Sequence, residues 1–173
     1  LMYHMENYER AAALWEQAVE ADSAQYMAYR NLAAAYYSHL GRPEKALPLL
    51  EKALALHPGD GQLVWEKGHL MTRLHAAPLD TAALLAASGI MREDVTLERC
   101  RALNLAGQHA QVLELMASRQ FVPCEGGEHA VAEQYMFAHH ALGRKAMQAG
   151  NLQTALTHFQ AAQQLPENLG AGL

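Results

Sequence analysis

Cysteine is scarce: only Cys100 and Cys124 occur in 173 residues, and they form no CxxC pair. Two thiols build no disulfide framework, zinc ribbon or thioredoxin-like redox motif. Such sparse use fits a reducing, cytoplasmic setting. Charge is also thin, at 18% of residues, and the net charge is −5. An acidic balance lacks the electrostatic footprint of a nucleic-acid binder or of a protein drawn to anionic membranes. No apolar run approaches the roughly 20 residues needed to span a bilayer. No secretory leader opens the chain, and Leu1 in the place of Met leads to the expectation of a piece of a longer protein. What is plentiful is apolar content, 51%, too much for a disordered chain. With so few charges, much of that surface must be covered, within the chain or by something else.

The apolar residues are periodic. Residues 7–23, 42–58 and 151–166 each read as an amphipathic helix entered by a turn. Each carries a small residue, then a large one four later, then alanine three later: Ala11-Trp15-Ala18, Ala46-Leu50-Ala53 and Ala155-Phe159-Ala162. Spacings of four and three put all three on one helix face. The alanines let a neighbouring helix approach, and the large residue fills the gap. Preceding helices end at Gly41 and Gly150, where glycine can take the left-handed conformation of a helix stop. Pro58 stops the helix before it.

In those preceding helices Tyr29, Leu32 and Tyr36 fall at the spacing W-x2-L-G-x2-Y, and Leu142-Gly143 supplies an L-G pair. With the triplets, these residues resemble the tetratricopeptide repeat, whose period is 34. Ala11 and Ala46 are 35 residues apart, which predicts one inserted residue near Ser38–Leu40. The resemblance implies an all-α domain over 1–173, an α-α superhelix of antiparallel helical hairpins. Its repeats are clear over 7–58 and 129–166 and degenerate over 62–118, with a loop insertion at 121–128. The middle retains the rhythm: helices over 62–75 around Gly68, 79–88, 94–106 and 109–118. Eight or nine helices and no sheet are expected. A narrower likeness, carried by FVPCEGGEHAV, AHHALGRKA, ALTHF and PENLG within 121–170, is to the helical region of a bacterial family of unknown function with an N-terminal β-rich domain. It implies a larger parent protein.

No catalytic constellation emerges. Cys100 sits mid-helix on a packing face and reads as a small buried hydrophobe. Cys124 lies beside Glu125 and Glu128, whose charge dulls a thiolate. Gly126-Gly127 lacks the residues of a phosphate loop and reads as a turn into a helix beginning near Glu128. Ten histidines invite a metal reading, but there is no HExxH. His139 and His140 point about 100° apart on a helix and cannot easily share an ion, though His158 could approach one of them. The expectation is no enzyme, no metal and no cofactor.

In the tetratricopeptide pattern the concave face is built from first helices. Carried over by register, that face receives Met27, Arg30, Ala34 and Tyr37, then Gln62, Trp65, His69 and Thr72 with Arg73 adjacent. Next come Asp94, Leu97, Arg101 and Asn104, then Phe137, His140, Arg144 and Met147. The expected groove residues are Arg30, Tyr37, Trp65, His69, Arg73, Arg101, Asn104, His140 and Arg144. Arginine forks suit carboxylates, so the expected partner is a protein or peptide of acidic character, with no nucleic acid and no membrane. Two competing expectations accompany it: the arginines pair with acids of the same chain, and the exposed repeat ends support self-association or packing on a parent protein.

Overall fold

Most helices start at residues whose side chains or missing N–H groups suit a helix end. In the computed structural model, which describes residues 7–122 and 128–170, α1 (Tyr8–Ala21) opens where the Asn7 side chain accepts the Arg10 N–H. The second helix, α2 (Tyr26–Ala34), runs into a turn of π-helix over Ala35–His39. Pro43 at the first turn of α3 (Pro43–Leu56) and Pro78 at that of α5 (Pro78–Ala87) have no N–H to leave unpaired. Between them, α4 (Gly61–Arg73) is capped by Asp60, whose carboxylate accepts from the Gln62 and Leu63 N–H groups. Then follow α6 (Glu93–Leu105), α7 (His109–Ala117), α8 (Glu128–Gln148) and α9 (Leu152–Ala161), with Asn151 capping the last, and a short 3₁₀ turn at Glu167–Leu169. Among the described residues there are nine α-helices and no strand. The protein is all-α, built of helical hairpins, as the spacing predicts. Cys124 and Gly126-Gly127 lie outside the described residues. No helix among the described residues is long and apolar enough to cross a membrane.

The helices gather into two compact units, residues 1–95 and 96–173. In the first, Ala46, Leu50 and Ala53 are buried together with Tyr29, Leu32, Leu63 and Leu70, and Trp15 packs against them. Tyr36 also belongs to this core, and its hydroxyl donates to the Glu16 carboxylate. That hydrogen bond, then burial, pushes the phenol up to about 12. In the second unit the core is Val112, Met116, Phe121, Val131, Ala138 and Leu169. Cys100 is 0% exposed, and burial pushes its thiol up to about 12, so it is no nucleophile at neutral pH.

Two local features set the helix geometry. The extra residue of the 35-residue spacing is taken up by the π turn. The Leu40 N–H reaches Ala35 O, five residues back, at 3.0 Å. The Arg42 N–H then closes on Tyr36 O at 2.9 Å across Gly41, whose φ of +62° suits glycine. The other feature is contact distance between paired helices. A Cβ on Gly143 would lie 2.6 Å from Phe159, and one on Gly68 would lie 2.7 Å from Leu85. Glycine at these points lets α8 meet α9 and α4 meet α5 closely.

The second unit also holds a tie that no repeat pattern contains. The Asn168 amide donates to Met116 O at 2.9 Å and Arg119 O at 2.7 Å. Its own carbonyl accepts the Phe121 N–H at 2.7 Å. Asn168 thus adds a donor to the carbonyls of Met116, in the last turn of α7, and of Arg119 just beyond it, and its own carbonyl takes up the N–H of the buried Phe121.

Candidate functional site

The first unit carries a pocket of about 220 Å³ between α2 with its π turn and α4, with Leu50 of α3 also on its wall. Ala33 and Ala34 leave the space, because their side chains end at Cβ. Around it stand Tyr37, Trp65 and His69. Trp65 and His69, one helical turn apart on α4, stack at 5.2 Å with planes 12° apart. Tyr37 meets His69 edge-on at 6.2 Å. Three of the expected groove residues therefore share one wall. The remaining lining is Ser38, Leu70 and Glu66.

The two arginines of this unit have different settings. Arg30 grips Glu66: its Nε is 3.0 Å from both carboxylate oxygens and its Nη2 is 2.6 Å from Oε1. Gln62 also donates to Glu66 Oε1 at 3.0 Å. The pair is half-buried, and this fork geometry is among the stronger charge-assisted arrangements. Arg30 is thus matched within the chain. Arg73 is exposed, donates from Nη1 to the Tyr37 hydroxyl at 3.1 Å, and lies over the same ring at 5.1 Å. Among the described residues it meets no carboxylate.

In the second unit, Arg101 pairs with the buried Glu98 one turn back on α6, at 3.1 Å. Asn104 is not a surface residue. It is 5% exposed, its amide donates to Gln134 O and Oε1 at 3.1 Å, and His109 Nδ1 lies 3.0 Å from its Oδ1. The register alignment that assigned it to a groove fails there, because a buried amide must be satisfied by its neighbours. His140 is exposed, its ring 5.9 Å from that of Phe159. Arg144 is exposed on α8, and its charge, after desolvation, helps hold His109 below the usual histidine range. His139 and His158 do approach: their Nδ1 atoms are 3.0 Å apart. Among the described residues no group of three or more potential ligands surrounds a metal position.

Glu66, which pairs with Arg30 and lines the pocket, is the neighbour that register reasoning passes over. A signal exists: Arg30–Glu66 and Tyr37–Arg73 are each separated by 36 residues. That is about one repeat, so corresponding positions of successive first helices face each other.

Residues 3–61 match the family model of the tetratricopeptide repeat. Three crystal structures share the fold. YrrB, described as a tetratricopeptide protein with an unusual peptide-binding site, aligns at 23% identity over 94% of this chain and 79% of its own, with a TM-score of 0.67. MamA aligns at 14% identity over 94% and 90%, with a TM-score of 0.65. PilW, a type IV pilus biogenesis factor, aligns at 20% identity over 99% and 74%, with a TM-score of 0.55. The fold is thus of the tetratricopeptide solenoid class.

Proposed function

We propose that this chain is a non-catalytic scaffold that binds a peptide segment of a protein partner along the face formed by α2 and α4. The observation that carries the reading is the aromatic pocket at Tyr37, Trp65 and His69, open on a face of first helices. The peptide-binding site in YrrB's description lends support by analogy of fold. Pockets of this kind seat apolar side chains, and fully burying one contributes roughly 1.5–3 kcal/mol. An arginine–carboxylate contact adds about 1.5–3 kcal/mol. A few such contacts reach micromolar binding, about −8 kcal/mol.

The test is an acidic-peptide array followed by titration of the best binders. Affinity should fall with rising salt, because exposed charges are screened beyond roughly 8 Å at physiological ionic strength. It should fall in His69→Ala and persist in Glu44→Gln, on α3. An array without a specific binder, or binders indifferent to His69→Ala, would reject the reading.

A further inference from the structure

We infer that the extra residue of the π turn builds the pocket, and that the pocket's occupant is one apolar side chain of an acidic partner segment whose carboxylate, two positions along, is taken by Arg73. The inference rests on the peptide-binding reading above and adds the chemistry of the ligand.

Two of the pocket's walls, Tyr37 and Ser38, come from within the π turn. π turns are rare and occur frequently at functional sites. In an uninterrupted α-helix these residues would sit at different angles about the axis, since each residue of an α-helix advances about 100°. The 35-residue spacing from Ala11 to Ala46 and the shape of the pocket are therefore one feature, seen first in sequence and then in space.

Charge selects the occupant. Glu66 is the acidic residue of the lining, and Arg30 already grips it through both oxygens. A basic side chain entering the pocket would find no unmatched charge. Arg73 has five N–H donors, and one meets the Tyr37 hydroxyl. The cation at the rim thus complements a carboxylate.

Distance then chooses between a chain terminus and an acidic side chain. Arg73 does not line the pocket, and its guanidinium carbon stands 5.1 Å from the centre of a ring that does. Because Arg73 stands outside the lining, the carboxylate it takes belongs to a different residue from the one that fills the pocket. In an extended segment, residues two apart share a face at roughly 6.7 Å, and an acidic side chain adds its own reach.

The test uses the full chain with Trp15→Phe, so that Trp65 alone reports by fluorescence. The probe is an acetylated, amidated alanine heptapeptide carrying leucine and, two positions later, glutamate. It should bind saturably. Replacing its leucine by alanine, or its glutamate by glutamine, should weaken binding about tenfold each, the weight of one good contact. Arg73→Met should cost the glutamate peptide the same factor and leave the glutamine peptide unchanged, a cycle that needs no change in the core. Deleting Ser38 restores the 34-residue spacing and should abolish binding with helix content retained. The inference is overturned if the folded deletion variant binds normally, if glutamate and glutamine peptides bind alike, or if a free C-terminal leucine peptide without glutamate binds more tightly. Array binders at this face combined with failure of the leucine–glutamate peptide would sink the inference and leave the scaffold standing. An array without binders would sink both.

Discussion

Replacing Gly143 by alanine sets two known effects against each other. Helix propensity alone favours alanine in mid-helix by about 1 kcal/mol. The added Cβ, however, would lie 2.6, 2.9 and 3.0 Å from Cε1, Cδ1 and Cζ of Phe159, where carbons settle at roughly 3.5–4.0 Å. The ring must therefore move by about 1 Å. It cannot carry α9 with it cheaply, because Ala155 and Ala162 on the same face are 3% and 5% exposed. Overpacking of this kind costs about 1–3 kcal/mol. The clash matches or exceeds the propensity gain, and the expected net loss is about 0–2 kcal/mol, or roughly 0–8 °C in Tm for a chain of this size. Thermal and urea unfolding of Gly143→Ala, Phe159→Leu and the double variant measure it. In the Phe159→Leu background the rigid ring is gone, so Gly143→Ala should be neutral or stabilising. A single variant that melts higher than the parent, or a cost unchanged by Phe159→Leu, would refute the close-approach reasoning.

Other outcomes follow from the same geometry. Asn168→Ala removes two side-chain hydrogen bonds and should cost about 1–3 kcal/mol, with faster hydrogen exchange at the Phe121 amide as the local readout. His75 holds a φ of +55° just after α4, so His75→Gly should stabilise by roughly 0.5–1 kcal/mol, seen as a higher urea midpoint. Acid should weaken the second unit. His139, by desolvation first and then the neighbouring His158 and His140, and His109, by desolvation first and then Arg144 and Lys145, are held below their unfolded value of 6.5. The unfolded chain thus binds protons more readily. The stability of the neutral histidines is present above pH 6.5 and is lost as pH falls through their lower folded values. The urea midpoint should drop between neutral pH and about pH 5, and the drop should shrink in His109→Gln/His139→Gln. Cys100 should resist thiol reagents until the second unit unfolds, which a labelling time course in rising urea would show.

Much of this fold is legible because the Ala-large-Ala spacing has one physical meaning: a helix face that admits a close neighbour. Ala46, Leu50 and Ala53 are all buried. The spacing of 35 also reveals a surplus residue, but not the π turn that absorbs it, since periodicity counts residues and does not choose hydrogen-bond partners. Tyr37, Trp65 and His69 come together as the register implies. Arg30 illustrates where register stops: a position can be right and its charge already engaged, because Glu66 on the next first helix is within reach. Asn104 shows the opposite failure, a polar residue assigned to a surface by alignment and found in the core. Asn168 has no periodic partner at all, and its two carbonyl acceptors end a helix far away in sequence.

That last separation bears on the order of folding. Asn168 bonds to the carbonyls of Met116 and Arg119 across 52 and 49 residues, whereas a helical hairpin closes over a short turn. Closing a long loop costs more entropy than closing a short one. The cost falls once α8 and α9 have shortened the intervening chain into two adjacent rods. The tie should therefore set late, after its neighbours, and slow only the final locking of Phe121. Removing it should leave the refolding rate almost unchanged and accelerate unfolding, the kinetic pattern of an interaction absent from the transition state.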